Sequence, residues 1–230
     1  FAIPNPWDVG SAVRLEALGF LALATTSSGL AWSLGREDGD VTLEELVAHT
    51  AAVGDATTIP LNVDAERCFA ETLDGVADTV GRLADAGAAG CSIEDWHPER
   101  GIDPLATAAE RVASAVEAAN RSGMVLTARA ENHIRGVDDL DDTIERLTAY
   151  RDAGAHCVYA PGLATAADIG RVVAAVGVPV NVLARPGVPD PAELSALGVR
   201  RVSTGGALAR AAYAAGMDQA ATLPPSIVPG

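Results

Sequence analysis

The sequence predicts an α/β protein of the (β/α)8 barrel class. Short apolar runs of the strand type alternate eight times with longer segments of helical periodicity along the 230 residues. The strand-like runs are continuously apolar, which is typical of parallel strands that are covered on both faces. Eight such units close most simply into a barrel, and a doubly wound open sheet is the alternative architecture.

Turn and capping residues delimit the predicted elements. Gly-Ala or Gly-Val pairs mark several joins from helix to strand, and a threonine caps the second predicted helix. The predicted strands span 1–5, 20–28, 58–64, 90–96, 124–131, 156–162, 179–184 and 199–206. The predicted helices span 11–19, 41–54, 73–88, 104–123, 138–155, 166–177, 191–198 and 207–223. We expect one barrel domain over 1–223 and a C-terminal tail over 224–230.

The amino-acid composition limits the kinds of molecule that we expect the protein to bind. The chain is 49% hydrophobic and 4% aromatic, so its core must consist mostly of Ala, Val, Leu and Ile. A net charge of −15 argues against binding to nucleic acid or to an anionic membrane surface. No apolar run reaches the ~18–20 residues of a membrane span. We expect a cytoplasmic protein with a small-molecule substrate, whose Cys68, Cys91 and Cys157 are buried reduced thiols.

Charged side chains follow three consecutive strands of the predicted barrel. In strand order they are Asp64 and Glu66, Glu94 and Asp95, and Arg129 and Glu131. The carboxyl ends of parallel barrel strands meet at one face, where barrel enzymes have their active sites. Clustered carboxylates repel one another, and oxygen donors without histidine favour Mg²⁺ or Mn²⁺ over Zn²⁺ as the compensating cation. An ion-pair network centred on Arg129 is the alternative without a metal.

Two loops and one histidine are further candidates for the functional site. The backbone N–H groups of Ser28, Gly29 and Leu30 are expected to hold a carboxylate or enolate oxygen, and the alternative is an ordinary polar loop. The glycine-rich turn at 203–211 is explained equally well by a phosphate site or by tight helix packing. His97 follows the fourth strand and is the histidine expected near the site, as a proton donor.

Several motifs taken together resemble the isocitrate lyase/phosphoenolpyruvate mutase superfamily. They are NPWDVGSA (5–12), TTSSG (25–29), NVDAE (62–66), AGAAGCSIED (86–95), LTARAE (126–131), YAPGL (159–163) and RRVSTGGALARAAY (200–213). The resemblance covers nearly the whole chain and implies a barrel of the phosphoenolpyruvate/pyruvate-binding type. It also implies a homodimer or homotetramer, often with the last helix exchanged. It further implies a Mg²⁺-dependent enzyme that makes or breaks a C–C or P–C bond beside a 2-oxo acid or its enolate.

The resemblance also implies roles for single residues. The segment 28–30 is similar to the pocket for the pyruvyl carboxylate and oxyanion, and Arg129 is similar to the arginine that clamps the substrate. Ser28 and Arg129 are therefore expected catalytic residues, and His97 is the third on account of its position after the fourth strand. The implied metal ligands are Asp64, directly, and Asp38, Glu66 and Glu94, through water molecules.

The loop after the fourth strand departs from the lyases that this chain resembles. Those enzymes carry a Lys-Arg-Cys-Gly-His loop whose cysteine is a general acid, whereas WHPERGIDP (96–104) is short and lacks Cys and Lys. The phosphonate-contacting residues of the mutases are also absent, and Ala160 stands where a histidine is expected. The first expectation is a C–C lyase or decarboxylase for a small 2-oxo or 2-hydroxy dicarboxylate. A P–C bond enzyme is the second, and a barrel that only binds a small acid is the third.

Overall fold

Eight parallel strands form the central sheet of the computed structural model, which describes residues 1–223. The strands of the chain are β1 (Ala2–Ile3), β2 (Leu23–Ala24), β3 (Leu61–Asp64), β4 (Gly90–Glu94), β5 (Trp96–His97), β6 (Gly101–Ile102), β7 (Val125–Arg129), β8 (Cys157–Tyr159), β9 (Val180–Leu183) and β10 (Arg201–Ser203). The sheet has the order β1-β10-β9-β8-β7-β4-β3-β2, and β5 and β6 form a separate antiparallel hairpin. The predicted tail at 224–230 lies outside the described residues.

The two end strands of this order meet through a few hydrogen bonds that nearly close the barrel. The backbone N–H of Ala24 donates to the carbonyl of Pro4 at 3.1 Å. Asn5, which is 5% exposed, donates from Nδ2 to the carbonyl of Thr25 at 2.7 Å. Its Oδ1 accepts from the backbone N–H groups of Thr204 and Gly205 at 2.8 and 2.9 Å. The barrel prediction is confirmed, and the open-sheet alternative is wrong.

The helices surround this barrel and match the predicted ones, with one addition. They are α1 (Val9–Ala17), α2 (Ser27–Ser33), α3 (Leu43–Ala56), α4 (Leu73–Asp85), α5 (Leu105–Ser122), α6 (Leu140–Asp152), α7 (Ala166–Val176), α8 (Pro191–Ala196) and α9 (Ala207–Ala221). None of the helices in this described part of the chain combines the length and the apolar character that a membrane crossing requires.

Helix α2 is the addition, because its segment was predicted to be a polar loop. Serine and glycine have low helix propensity, so seven residues rich in them give no sequence signal. Packing against the rest of the protein stabilises this helix instead, since Gly29, Leu30 and Ala31 are buried. A Cβ atom at Gly29 would lie 2.8 Å from Cβ of Trp7, so only glycine allows this close approach.

The other helices begin and end at residues whose chemistry explains their bounds. Thr42 and Glu45 form a capping box at the start of α3, and the side chains of Thr72 and Asp139 cap α4 and α6. Helix α5 ends at Gly123, which has the left-handed φ of 71° that favours glycine.

The core is aliphatic, as the composition predicts, and it contains the three cysteines as buried free thiols. Burial raises the pKa of all three thiols, so they remain protonated.

Replacing Asn5 by alanine tests the closure of the barrel. Asn5→Ala removes four side-chain hydrogen bonds and leaves the partly buried N–H groups of Thr204 and Gly205 without this partner. We expect the free energy of unfolding in urea to fall by about 2–4 kcal/mol. Asn120→Ala, on the exposed side of α5, is the control, and we expect a change within about 0.5 kcal/mol. A loss below about 1 kcal/mol for Asn5→Ala would contradict this account.

Candidate active site

A cavity of about 1060 Å³ opens at the carboxyl ends of the barrel strands. The last residues of seven strands line it, as the barrel architecture requires. They are Ile3, Ala24, Asp64, Arg129, Tyr159, Leu183 and Ser203. The cavity is slightly larger than the ~300–1000 Å³ that is typical of small-molecule sites in proteins.

Asp64 at the end of β3 is held by groups from three neighbouring segments. Its Oδ1 accepts from Nη1 of Arg129 at 2.6 Å and from Oγ of Ser92 at 3.2 Å. Its Oδ2 accepts from the backbone N–H of Ser27 at 3.2 Å, and its own N–H donates to Oγ1 of Thr25 at 2.9 Å. The carboxylate is therefore fixed in the cavity wall in a defined orientation.

Arg129 lies between three carboxylates. Its guanidinium contacts Asp64 at 2.6 Å, Glu94 at 2.9 Å and Glu131 at 2.7 Å, and it lies 5.6 Å from the ring centre of Tyr159. Burial alone lowers the pKa of Arg129, but the charges of Glu131, Glu94 and Asp64 raise it well above its ordinary value. This arginine stays charged and is the electrostatic centre of the site.

A second arginine, which sequence reasoning missed, shares two of these acids. Arg135 contacts Glu131 at 3.5 Å and Glu94 at 3.9 Å, and its guanidinium lies 4.2 Å from the ring centre of Trp96. The ion-pair network predicted from the sequence contains Arg129 alone as its cation. With Arg135 added, the negative charge of the acids is better balanced.

Neither Glu66 nor Asp38 forms a salt bridge with an arginine among residues 1–223. Burial raises the pKa of Glu66 to about 7, and the charges of Asp64 and Asp38 add to this shift. Asp38 is an exposed residue, yet enclosure of its carboxyl in the cavity raises its pKa. A hydrogen bond from Ser27 lowers the pKa of Asp38, and the charge of Asp64 raises it further. Carboxylates that destabilise one another in this way favour a nearby cation.

The donor set suits a hard divalent cation, since all of its members are carboxylate oxygens. Asp38, Asp64, Glu66 and Glu94 are the residues that would hold it. Among residues 1–223, however, no three acidic, His or Cys side chains are already arranged as metal ligands. Arg129 occupies Oδ1 of Asp64 instead, so the geometry seen is that of the ion-paired form.

The segment 28–30 differs from the expectation of three free backbone donors. Ser28 lines the cavity, whereas Gly29 and Leu30 do not. The N–H of Leu30 donates to the carbonyl of Thr26 at 3.0 Å within α2, and the side chain of Leu30 is 4% exposed. The role predicted for Leu30 as a backbone donor is therefore wrong, because helix formation uses that N–H group.

His97 is not brought to the cavity. It lies in the β5–β6 hairpin, where its Nδ1 accepts from the backbone N–H groups of Glu99 and Arg100 at 3.1 and 3.2 Å. Its Nε2 lies 3.3 Å from Oε1 of Glu71. The expectation that placed His97 near the site is wrong in position, since Nδ1 is bonded within the hairpin and Nε2 faces Glu71.

Asp95 also differs from the predicted acid cluster. Its carboxylate accepts from the hydroxyl of Tyr150 at 2.6 Å, from Nη1 of Arg146 at 3.1 Å and from the backbone N–H of Glu131 at 2.9 Å. Adjacent residues of a strand face opposite sides. Glu94 therefore faces the site, whereas the contacts of Asp95 connect the end of β4 to helix α6 on the outside of the barrel.

Three further arginines that line the cavity were not predicted: Arg185, Arg201 and Arg210. Arg201 donates to Oδ1 of Asn181 at 2.9 Å and to Oγ1 of Thr127 at 2.8 Å, and Arg210 lies 5.2 Å from the ring centre of Trp32. Inward alternation along RRVS on the last strand was the one sequence signal that pointed to Arg201.

The raised pKa of Glu66 predicts how the metal-free protein responds to pH. A folded-state pKa above the unfolded value means that the folded state binds the proton more tightly. Stability is therefore lost as pH rises from about 4.5 to about 7, and Glu66→Gln removes this loss. In chelator, we expect Glu66→Gln to raise the free energy of unfolding at about pH 8 by on the order of 2 kcal/mol, and to change little below pH 4.5.

Urea denaturation at both pH values measures this difference. Glu117→Gln, which removes an exposed ion pair with Arg121 on α5, is the control and should change stability by less than about 0.5 kcal/mol at either pH. Equal behaviour of Glu66→Gln and wild type at the higher pH would contradict the charge assignment.

The fold and sequence have clear relatives. The family model for phosphoenolpyruvate phosphomutase matches residues 1–223. An uncharacterized protein of Mycobacterium tuberculosis is 37% identical over 223 residues, which are 96% of this chain and 82% of that protein. A protein of Burkholderia cenocepacia J2315 with a suggested lyase or mutase activity has a crystal structure with a TM-score of 0.93 and 47% identity. This match covers 96% of our chain and 82% of that one.

A third relative carries an activity in its description. The crystal structure of 2,3-dimethylmalate lyase, a PEP mutase/isocitrate lyase superfamily member, has a TM-score of 0.88 and 27% identity. The match covers 100% of this chain and 84% of the lyase. Together with the motifs and the barrel, these matches confirm the predicted relationship: the chain belongs to the PEP mutase/isocitrate lyase superfamily.

Proposed function

We propose that this protein is a Mg²⁺-dependent carbon–carbon lyase that cleaves small 2-oxo or 2-hydroxy dicarboxylates beside a pyruvyl group. The observation that carries the proposal is that one cavity is lined by two sets of charged side chains. Asp38, Asp64 and Arg129 form one set (the acidic wall), and Arg185, Arg201 and Arg210 form the other (the arginine wall). A dicarboxylate has one anionic group for each wall.

The acidic wall supports the pyruvyl half of the reaction. A bound Mg²⁺ would supply the positive charge that stabilises an enolate oxygen as the bond breaks. Within the chain, Arg129 would bind the pyruvyl carboxylate, and the carboxylate of Glu131 would orient it through its contacts with Nε and Nη2 at 3.0 and 2.7 Å. Ser28 lines the same part of the cavity and remains the predicted partner of the substrate oxygen.

The arginine wall supports the second anionic group. All sixteen basic residues are arginines, and eleven have a carboxylate within 4.0 Å in the described part of the chain. Of the five others, Arg185, Arg201 and Arg210 line this one cavity. The chain has 31 acidic residues with which an arginine could pair. Arginines that instead line one cavity, with no carboxylate within 4.0 Å among the described residues, indicate an anionic ligand.

The relatives favour the same chemistry. The related 2,3-dimethylmalate lyase acts, by its name, on a substituted malate, which is a 2-hydroxy dicarboxylate. The β5–β6 hairpin of this chain is short and has no cysteine, so we do not extend the proposal to isocitrate or methylisocitrate.

A P–C bond enzyme is the second candidate. The family model that matches the chain is that of phosphoenolpyruvate phosphomutase, and an arginine wall would receive a phosphonate as well as a carboxylate. The non-catalytic barrel is the third candidate. The substrate panel below separates all three.

Pyruvate release from a panel of acids tests the reaction class. We expect Mg²⁺-dependent release from 2,3-dimethylmalate or oxaloacetate, loss of release in chelator, and at least a hundredfold lower turnover for Asp64→Ala. Turnover within threefold of wild type for Asp64→Ala would contradict the site. Release from phosphonopyruvate alone would favour the P–C enzyme, and no release together with tight oxalate binding would favour the non-catalytic barrel.

Arg201→Met tests the arginine wall. Loss of a charged hydrogen-bond donor should raise KM for the cleaved dicarboxylate about 10- to 100-fold and change kcat less. Binding of oxalate, which needs only the acidic wall, should be unchanged. Arg200→Met is the matched control, because Arg200 is exposed and does not line the cavity. Equal KM values for the two variants would contradict a role for this wall in substrate binding.

A further inference from the structure

The turn that follows β3 has an unusual backbone. Glu66, Cys68 and Phe69 have φ values of 47°, 60° and 51°, and they are the only residues other than glycine with positive φ in the part of the chain described. Side chains with a Cβ atom rarely adopt this left-handed region. Such conformations persist only where the surrounding structure enforces them, and they concentrate at functional sites.

Two buried side chains from the neighbouring helices hold this turn by its carbonyl oxygens. Nη2 of Arg111, on α5, donates to the carbonyls of Arg67 and Ala70 at 2.6 and 2.8 Å. Oγ1 of Thr79, on α4, donates to the carbonyl of Cys68 at 2.8 Å. Arg111 is 3% exposed and Thr79 is 1% exposed, so water does not compete for these bonds.

The contacts of Arg111 are those of a backbone clamp rather than of an ion pair. The nearest carboxylate is that of Asp103, at 4.0 Å, and Asp103 contacts Arg67 more closely, at 2.9 Å. Nε of Arg111 has no hydrogen-bond partner within the described residues. A buried cation is costly without a close partner, so the bonds to the turn are the feature that explains its position.

The opposite side of the turn carries Glu66. The carbonyl of Glu66 accepts from the N–H of Glu94 at 2.9 Å, which fixes the turn to the end of β4. Glu66 follows Asp64, the last residue of β3, by two residues. Because φ fixes the direction of the Cα–Cβ bond, the backbone of the turn sets the direction in which the Glu66 side chain leaves the chain.

We propose that Arg111 and Thr79 are positioning residues: they hold the left-handed turn so that Glu66 presents its carboxylate to the proposed cation site. This inference rests on the proposed function. Neither residue lines the cavity, so both act through the backbone. Changes to groups that orient metal ligands typically weaken metal binding about 10- to 100-fold, and we expect an effect of this size for these two residues.

Mn²⁺ binding, measured by electron paramagnetic resonance, tests the inference. Thr79→Val keeps the shape of the side chain and removes the donor to Cys68. Thr50→Val is the matched control: Thr50 is also fully buried, but its Oγ1 donates to Leu46 within α3, away from the turn. We expect Kd for Mn²⁺ to rise about tenfold in Thr79→Val, to be unchanged in Thr50→Val, and to return to the wild-type value in Thr79→Ser.

Hydrogen exchange of the Glu94 amide in chelator gives a readout that needs no metal. Because this N–H donates to Glu66, a loosened turn should make it exchange at least tenfold faster in Thr79→Val than in Thr50→Val. Equal Kd and equal exchange in the two variants would overturn the inference. Absence of Mn²⁺ binding in the wild type would contradict the proposed metal requirement instead, and the exchange rates alone would then decide whether the clamp exists.

Discussion

The contact of Arg129 with three carboxylates is the interaction on which the site depends. Asp64, Glu94 and Glu131 come from three adjacent strand ends, and without the guanidinium their mutual repulsion in a buried position would be costly. The arginine is correspondingly unable to lose its charge. A cation or anion that enters the cavity must therefore exchange contacts with an existing, balanced set of charges, and does not enter an empty acidic pocket.

Much of this arrangement followed from the sequence because barrel geometry is regular. Once β3, β4 and β7 are recognised as neighbours, Asp64, Glu94 and Arg129 must lie side by side at the same face. Alternation along a strand also separates Glu94 from Asp95, which a stricter use of that rule would have predicted. The arginine wall was harder to foresee, since Arg185 and Arg210 lie on different elements with no shared motif.

Other features could not be read from local sequence. Helix α2 forms because Gly29 packs tightly against Trp7, and helix propensity does not report a packing contact. His97 follows a strand that ends at the site, yet the hairpin turns its ring toward Glu71. Sequence position predicted the location of residues at the strand ends correctly, because the backbone direction of a strand is fixed. It failed for His97, because a turn follows the end of the strand.

The β5–β6 hairpin is fastened to the body of the protein. Arg100 and His97 both contact Glu71, Arg67 contacts Asp103, and no residue of the hairpin lines the cavity. Because the hairpin does not border the cavity, a small molecule can enter or leave without breaking these contacts. Ligand exchange is thereby uncoupled from the stability of the hairpin.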